Sequence, residues 1–354
     1  MSGNRSASTN FPVVRARAPL RLGLAGGGTD VSPYCDEYGG LVMNATIDMY
    51  AHATLEASSD GQVRFVAQDY DQCVTLAAEP GLPLNGVLDL HKGVYNRIVQ
   101  DFNGGKPLAV TLTTVTDAPA GSGLGSSSTL VVSMIKAFAE LLGLPLSDYD
   151  IARLAFDVER RDVGLHGGRQ DQYAAAFGGF NFMEFYAHDR VVVNPLRIKP
   201  WIVSELESSI VLYYTGVSRE SASIIAEQSS RLEQHDVAAV DAMHRVKEEA
   251  TEMKECILRG DLASFAKSMQ NGWESKKKTA SSISNSMIER VENVARENGA
   301  YAAKVSGAGG GGFMIFFVDP LERKRVRDAL GRMGGTTFSC HFTQQGAEGW
   351  RAKS

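Results

Sequence analysis

The strongest constraint on the fold of this chain is a set of three glycine-rich turns, each joined directly to an apolar element. The middle one reads Pro119-Ala-Gly-Ser-Gly-Leu-Gly-Ser-Ser-Ser-Thr129 and runs into the helix-forming stretch Leu130 to Leu142. Upstream, Leu108 to Val115 alternates like a half-buried strand, so the context is strand, glycine loop, helix. Glycines let a ligand come close to the backbone. The first free N–H groups of the helix, carrying about half a positive charge from the macrodipole, point at an anion. Such a loop makes a phosphate site; the plainer alternative is a flexible turn capped by serines.

Two common phosphate loops do not fit. A Walker A loop ends in Gly-Lys-Ser/Thr, whereas Gly125 is followed by Ser126 with no lysine. A dinucleotide fingerprint would use Gly121, Gly123 and Ser126, with Glu140 as the ribose acid. Glu140, however, falls inside the expected helix rather than at the end of a second strand.

The other two turns lie far away in sequence. Arg17-Ala-Pro-Leu-Arg-Leu-Gly-Leu-Ala-Gly-Gly-Gly-Thr-Asp30 joins an alternating strand to three consecutive glycines. Lys304-Val-Ser-Gly-Ala-Gly-Gly-Gly-Gly312 leads into the apolar run Phe313 to Val318. Ordering so many glycines costs chain entropy, and their use beside core strands implies close approach by a ligand or another backbone segment.

Composition limits the partners. The chain has 354 residues, 44% hydrophobic and 22% charged, enough for a large core and two lobes of ordinary size. A net charge of -5 argues against nucleic acid as a partner. The run Arg323–Arg325 reads as the solvated face of an amphipathic helix whose apolar side is Leu321, Val326, Ala329, Leu330 and Met333. Cys35, Cys73, Cys256 and Cys340 lack zinc spacing and read as reduced thiols. Met1 to Asn10 has no signal-peptide core and no segment approaches the ~20 apolar residues of a membrane span. A cytoplasmic protein with no membrane partner is expected.

In order and spacing the three turns resemble the signature of the GHMP small-molecule kinases, which include galactokinase, homoserine kinase and mevalonate kinase. Pro119 to Ser128 is similar to the family's ATP loop and Lys304 to Gly312 to its third motif. The resemblance implies an α/β (α+β) GHMP kinase fold of two lobes, with ATP and acceptor meeting between them. The N-terminal lobe would be mixed α/β and the C-terminal lobe ferredoxin-like α+β with added helices. The expected division is a flexible tail over 1–10, the ATP-binding lobe over 11–195 and the second lobe over 196–350.

Coarse patterning agrees. A helix is expected from a cap at Ser147 to near Asp162, and a strand at Ile210–Tyr214 opens the second lobe. Helical periodicity follows over Ser221–Gln234, Asp236–Leu258, Leu262–Ser275 and Met287–Asn298. Strands are expected at Tyr301–Val305, Phe313–Val318 and Thr336–Phe342. The apolar positions Val237, Val240, Met243, Val246, Ala250, Met253 and Ile257 suit burial of their helix against its own lobe better than a coiled-coil seam. Oligomeric state is not legible.

Phosphoryl transfer needs positioned phosphates, a metal to absorb charge and an acceptor hydroxyl held in line. The resemblance assigns ATP binding to Pro119, Gly121, Ser122, Gly123, Leu124, Gly125, Ser126, Ser127 and Ser128. It assigns Mg2+ to Ser127 and Glu159, the latter twelve residues before Asp171. At about 100° per residue Glu159 lies at the edge of the face formed by Leu154, Ala155 and Val158, where it reaches a cleft or stays solvated within Glu159–Asp162. Gly167-Gly-Arg-Gln-Asp-Gln172 is similar to the element that carries the family's catalytic aspartate, here Asp171. Asp171 either accepts the hydroxyl proton or only orients the hydroxyl. Arg21 stands in the place of the family's charge-neutralising cation. Gly26, Gly27, Gly28, Thr29, Asp30, Arg169, Gly307, Ala308, Gly309 and Gly310 are the substrate-binding candidates.

Gly27 and Gly28 replace the Glu-His pair of galactokinases, which argues against galactose. Leu22 to Tyr34, Asn44 to Asp48 and Tyr214 to Arg219 look most like the heptose 7-phosphate branch of the family. That branch implies transfer from ATP to the anomeric hydroxyl of a small sugar phosphate. A fucokinase-like enzyme acting on a free sugar is the nearest alternative, and a catalytically silent sugar and ATP sensor a more distant one. An anionic sugar needs cations, for which Arg169, Arg219, Lys92, Arg97 and Lys276–Lys278 are candidates, the lysine run favouring a solvated surface.

Overall fold

The computed structural model describes residues 12–119, 121–217 and 221–353. The expected tail over 1–10 and the candidate Arg219 lie outside them.

The first sheet is built around the 18-residue strand Gly40–Ala57, whose two halves pair with different partners. Gly40–Ala45 pairs with Phe180–Phe185, while Ala51–Ala57 pairs with Val110–Thr116. The full order is Glu348–Arg351, Val14–Ala25, Gly40–Ala57, Val110–Thr116, Gln62–Ala67 and Gln72–Ala77, with Val191–Pro195 outside Phe180–Phe185. All pairs are antiparallel except Gln62–Ala67 with Val110–Thr116. Helices Asp89–Phe102, Ser126–Leu142, Asp148–Asp157 and Gln170–Phe177 contribute to the core on one face, where Leu55, Leu112, Ile98, Ile135 and Phe138 meet. Ser147 caps its helix as expected, in a reciprocal box with Asp150 that contributes about 1 kcal/mol.

The second sheet runs Thr336–Ser339, Ile210–Tyr214, Phe313–Val318, Ala300–Val305, antiparallel throughout. In chain order that is 4-1-3-2, the ferredoxin-like arrangement, with helices Ser221–Glu233, Val237–Arg259, Leu262–Lys276 and Ser286–Glu297 inserted after its first strand. Met243, Val246, Ala250, Met253 and Ile257 are buried, whereas Val237 is 73% exposed. The helix thus turns its stripe inward, against its neighbour Leu262–Lys276 and the long strand.

One apolar cluster joins both sheets. Leu20, Leu22 and Leu24 of the first strand pack with Ile210, Leu212, Phe313 and Met253. That strand alternates over Val14–Arg17 and is buried on both faces beyond Ala18, because the second lobe covers what would otherwise be its open side. Register shifts between Pro19 and Arg21 and between Gly23 and Ala25 interrupt its ladder beside the first glycine turn. All four cysteines are free, and no described helix is long and apolar enough to cross a membrane.

Candidate active site

The three glycine turns meet. Ser122 accepts at its carbonyl from Phe313 N–H at 2.8 Å, and Gly123 accepts from Ser306 Oγ at 3.0 Å. A Cβ on Gly307 would lie 2.8 Å from the Gly123 carbonyl oxygen, and one on Gly123 would collide with that of Ser306. Only glycine lets these two backbones touch. From the first turn, Gly23 N–H reaches Ser306 Oγ at 3.4 Å, while the buried Lys304 ammonium donates to the Gly23 and Leu24 carbonyls at 2.6 and 2.7 Å. Burial holds that lysine's pKa well below its usual value.

Beside the junction opens a cavity of about 580 Å³ bordered by Arg21, Asp30, Gly121–Gly123, Gly125–Ser128, Glu159, Gly167, Gly168, Asp171, Lys276 and Gly307. The helix after the loop begins at Ser126, earlier than the apolar pattern suggests, because Gly125 takes the left-handed conformation at the N-cap. Four N-terminal residues therefore belong to the helix end that faces the cavity.

Asp171, in the first turn of Gln170–Phe177, is held by Arg21. The guanidinium places Nε 2.7 Å and Nη2 2.6 Å from Oδ1, and Nη1 donates to the Gly123 carbonyl at 2.6 Å. Arg21 is 4% exposed and Asp171 22%, so the carboxylate is the open member of the pair. Glu159 is 1% exposed and accepts from the Gln172 amide, which also donates to Ser128 Oγ at 3.1 Å. It lies in a π-helical turn, Val158–Asp162, that continues the expected helix. The widened turn carries it into the cavity wall rather than into solvent.

Asp30 is also buried. Its Oδ2 accepts from the Arg169 and Gln170 backbone N–H groups at 2.9 and 3.1 Å, its Oδ1 from Gln170 Nε2 and Gly28 N–H at 3.0 and 3.1 Å. The carboxylate fastens the first turn onto the start of the Asp171 helix.

Family models match on both sides of this junction. Residues 89–179 match the GHMP kinases N terminal domain and residues 253–336 the GHMP kinases C terminal domain. A D-glycero-alpha-D-manno-heptose 7-phosphate kinase of Campylobacter jejuni is 50% identical over 96% of this chain and 99% of its own. The chain belongs to the GHMP kinase family. A crystal structure of a D-glycero-D-manno-heptose 1-phosphate kinase from Bacteroides thetaiotaomicron superposes with a TM-score of 0.83 at 47% identity, covering 96% of this chain and all of that one. A putative sugar kinase from Campylobacter jejuni gives 0.81 at 48%, covering 98% and 100%. As a GHMP kinase the protein is an ATP-dependent phosphotransferase.

The cavity gathers most, not all, of the residues that the sequence suggests. Gly28, Asp30, Gly307 and Ala308 border it, as do most of the loop residues. Thr29 is turned into the first turn, bonding the Gly26 and Leu41 carbonyls at 2.7 and 2.9 Å. Gly310 packs on Ile283 through its N–H at 2.8 Å. Arg169 points away from the cavity: its guanidinium donates to the Tyr186 carbonyl at 3.0 Å and pairs with Asp36 and Asp189 at 3.3 and 3.2 Å. Lys92 is buried against Asn85 and Asp89, and Arg97 is bound to Asp162 and Asp101.

The lysine run divides. Lys277 pairs with Glu274 and Lys278 is exposed, as a solvated run implies. Lys276, the last residue of its helix, instead enters the cavity and donates to the Gly307 carbonyl at 2.6 Å. Arg160, whose guanidinium donates to the Gly168 carbonyl at 3.2 Å, is a further wall residue that no sequence motif marks.

Proposed function

We propose that this kinase transfers the γ-phosphate of ATP to the anomeric hydroxyl of D-glycero-D-manno-heptose 7-phosphate, in the cytoplasm. The 1,7-bisphosphate formed would feed nucleotide-activated heptose and surface glycan synthesis. The observation that carries the chemistry is the Arg21–Asp171 pair opening into the same cavity as the Gly121–Ser128 loop. The acceptor is supported by the near full-length identity to the Campylobacter enzyme. One relative's name places phosphate at position 7 and another's at position 1. Both names are consistent with a 1,7-bisphosphate product, and transfer to position 1 follows the relative that matches at 50% identity.

In this reading the loop's N–H groups and the helix end hold the ATP phosphates. A cavity of about 290 Å³ beyond Ser126 and Ser127, bordered by Leu88, Leu90 and Leu130, suits the nucleoside. The Ser127 hydroxyl and the buried Glu159 carboxylate are hard oxygen donors that fit Mg2+. Mg2+ takes few protein oxygens, so phosphates and water would complete the shell. Bound there, the metal would supply charge neutralisation on the phosphates. Asp171 takes the hydroxyl proton while Arg21 fixes its carboxylate. Asp30 positions the first turn against the sugar. Residues 11–195 form the ATP-binding lobe and 196–350 the second lobe, with Glu348–Arg351 crossing that division to pair with the first sheet.

Steady-state ATP turnover with heptose 7-phosphate, free heptose and fucose tests the assignment. Preference for the phosphorylated heptose is expected. Equal efficiency on free heptose, or a preference for fucose, defeats it.

A further inference from the structure

Three buried or partly buried cations with long side chains border the cavity, and two are already engaged. Arg21 directs Nε and Nη2 at Asp171 and Nη1 at the Gly123 carbonyl. Arg160 donates through Nη1 and Nη2 to the Leu165 and Gly168 carbonyls at 3.4 and 3.2 Å, which turns its fork toward its own loop although Nε stays buried and unpaired among the described residues. Lys276 is 7% exposed and, among the described residues, donates only to the Gly307 carbonyl. An ammonium has three N–H groups, so two remain for a ligand. Leaving a buried cation's donors without partners is costly, and a polar oxygen arriving in the cavity removes that cost.

The position of Lys276 says which ligand. Its Nζ lies 3.4 Å from where a Gly27 Cβ would stand, beside Gln170 Nε2 at 3.7 Å from the same point. Gln170 immediately precedes Asp171 and donates to Asp30. Lys276 also borders the small pocket under Gly26 and Gly27, and is absent from the cavity beyond Ser126 and Ser127. It therefore belongs to the first-turn side of the site, where the acceptor enters, rather than to the nucleoside side.

We propose that Lys276 is a catalytic residue that donates a hydrogen bond to the acceptor hydroxyl oxygen and stabilises the negative charge it gains during transfer. This rests on the kinase reading above. In the step, the acceptor O–H bond breaks as the new O–P bond forms, and the proton passes to the Asp171 carboxylate. The bond from γ-phosphorus to the bridging oxygen breaks with its electron pair leaving on ADP. Arg21 is tied to Asp171 and the loop, so charge at the acceptor oxygen falls to the lysine contributed by the second lobe.

The charged groups facing Lys276 are Arg21, Asp30 and Asp171, with Glu249 and Lys304 across the small pocket. Burial first, and then Arg21, lower its pKa to about 8, against the opposing pull of Asp30 and Asp171. Its charge is present at neutral pH and lost as pH rises through that value. Burial raises Glu249 to about 7, so the limb read for Lys276 is the one near pH 8 that the lysine substitutions remove.

The test is a pH–rate profile of the full chain and of Lys276→Gln and Lys276→Arg, with heptose 7-phosphate and with free heptose. Lys276→Gln is expected to lower kcat on the order of 100-fold with both sugars and to leave ATP binding intact. Lys276→Arg, which keeps its charge, is expected to retain more activity and to lose the decline in kcat/KM near pH 8. A loss confined to KM for the phosphorylated sugar would make Lys276 a phosphate clamp and overturn the proposal. An unchanged limb in Lys276→Arg, or unchanged kcat in Lys276→Gln, overturns it as well. If the wild-type chain turns over ATP with neither sugar, the acceptor assignment falls and this inference falls with it; turnover by wild type with equal kcat in the variant sinks the inference alone. If Lys276→Gln does not fold, as thermal melting would show, the pH limb of Lys276→Arg decides.

Discussion

Asp30 and Asp171 flank the start of one helix, Gln170–Phe177, yet their surroundings differ in kind. Asp30 is 1% exposed and its two oxygens accept from four N–H groups, three of them on Arg169 and Gln170. Asp171 meets Arg21 through Oδ1 alone; Oδ2 has no hydrogen-bond partner among the described residues and the side chain is 22% exposed. A carboxylate whose lone pairs are filled by the fold has little capacity for a proton or a substrate hydroxyl. One that is oriented yet incompletely satisfied keeps that capacity. The contrast separates a carboxylate spent on holding the fold from the one we propose acts on the substrate.

The sharpest way to break this contrast is Asp171→Asn, which is expected to reduce turnover on the order of 10³-fold while ATP binding, followed by calorimetry, persists. Near-normal turnover would strip Asp171 of its role. Next, Glu159→Gln is expected to cost about 10- to 100-fold in apparent magnesium affinity, read from a metal titration of the rate. An unchanged magnesium requirement would return Glu159 to a structural part beside Gln172. Asp30→Asn should lower stability by about 2 kcal/mol in denaturant titration, because an amide cannot accept at both positions. It should raise the sugar KM more than it lowers kcat, and a pure kcat loss would place Asp30 with the acting group. Smallest in kinetics is Arg169→Met: the Asp36 and Asp189 contacts go, with a measurable drop in melting temperature, and both KM values stay unchanged. A raised sugar KM there would draw Arg169 back into the substrate site.

The glycine turns were the legible part, since runs such as Gly307 and Gly309–Gly312 have few other uses beside a core strand. That Asp171, Arg21 and the loop serines border one cavity was legible because family motifs fix their spacing. Helix starts and strand ends were legible to within a few residues: Gly125 begins its helix before the apolar pattern does, and the expected strand over Thr336–Phe342 stops at Ser339. Lys276 was hidden, because nothing local distinguishes it from Lys277 and Lys278. Its burial comes from the last turn of its helix lying under Gly307, a contact made across 31 residues. The ion pairs of Arg169 were hidden for the same reason, as its neighbours Asp36 and Asp189 are remote in sequence. The helical count places Glu159 at the edge of its apolar face, in reach of the cleft, but does not foresee the π-helical turn that carries it.

The strand Glu348–Arg351 completes the sheet edge next to Val14–Arg17, and Arg17 is bound there to Glu348 at 3.0 Å. The partners Arg17 and Glu348 are 331 residues apart, so on a ribosome that edge is made long before its cover. The first sheet therefore waits with an unpaired flank, exposed to other strands, until residue 351 has been added. Joining residues 14 and 351 by a short linker and opening the chain elsewhere would let both partners emerge together, trading a late closure for an early one.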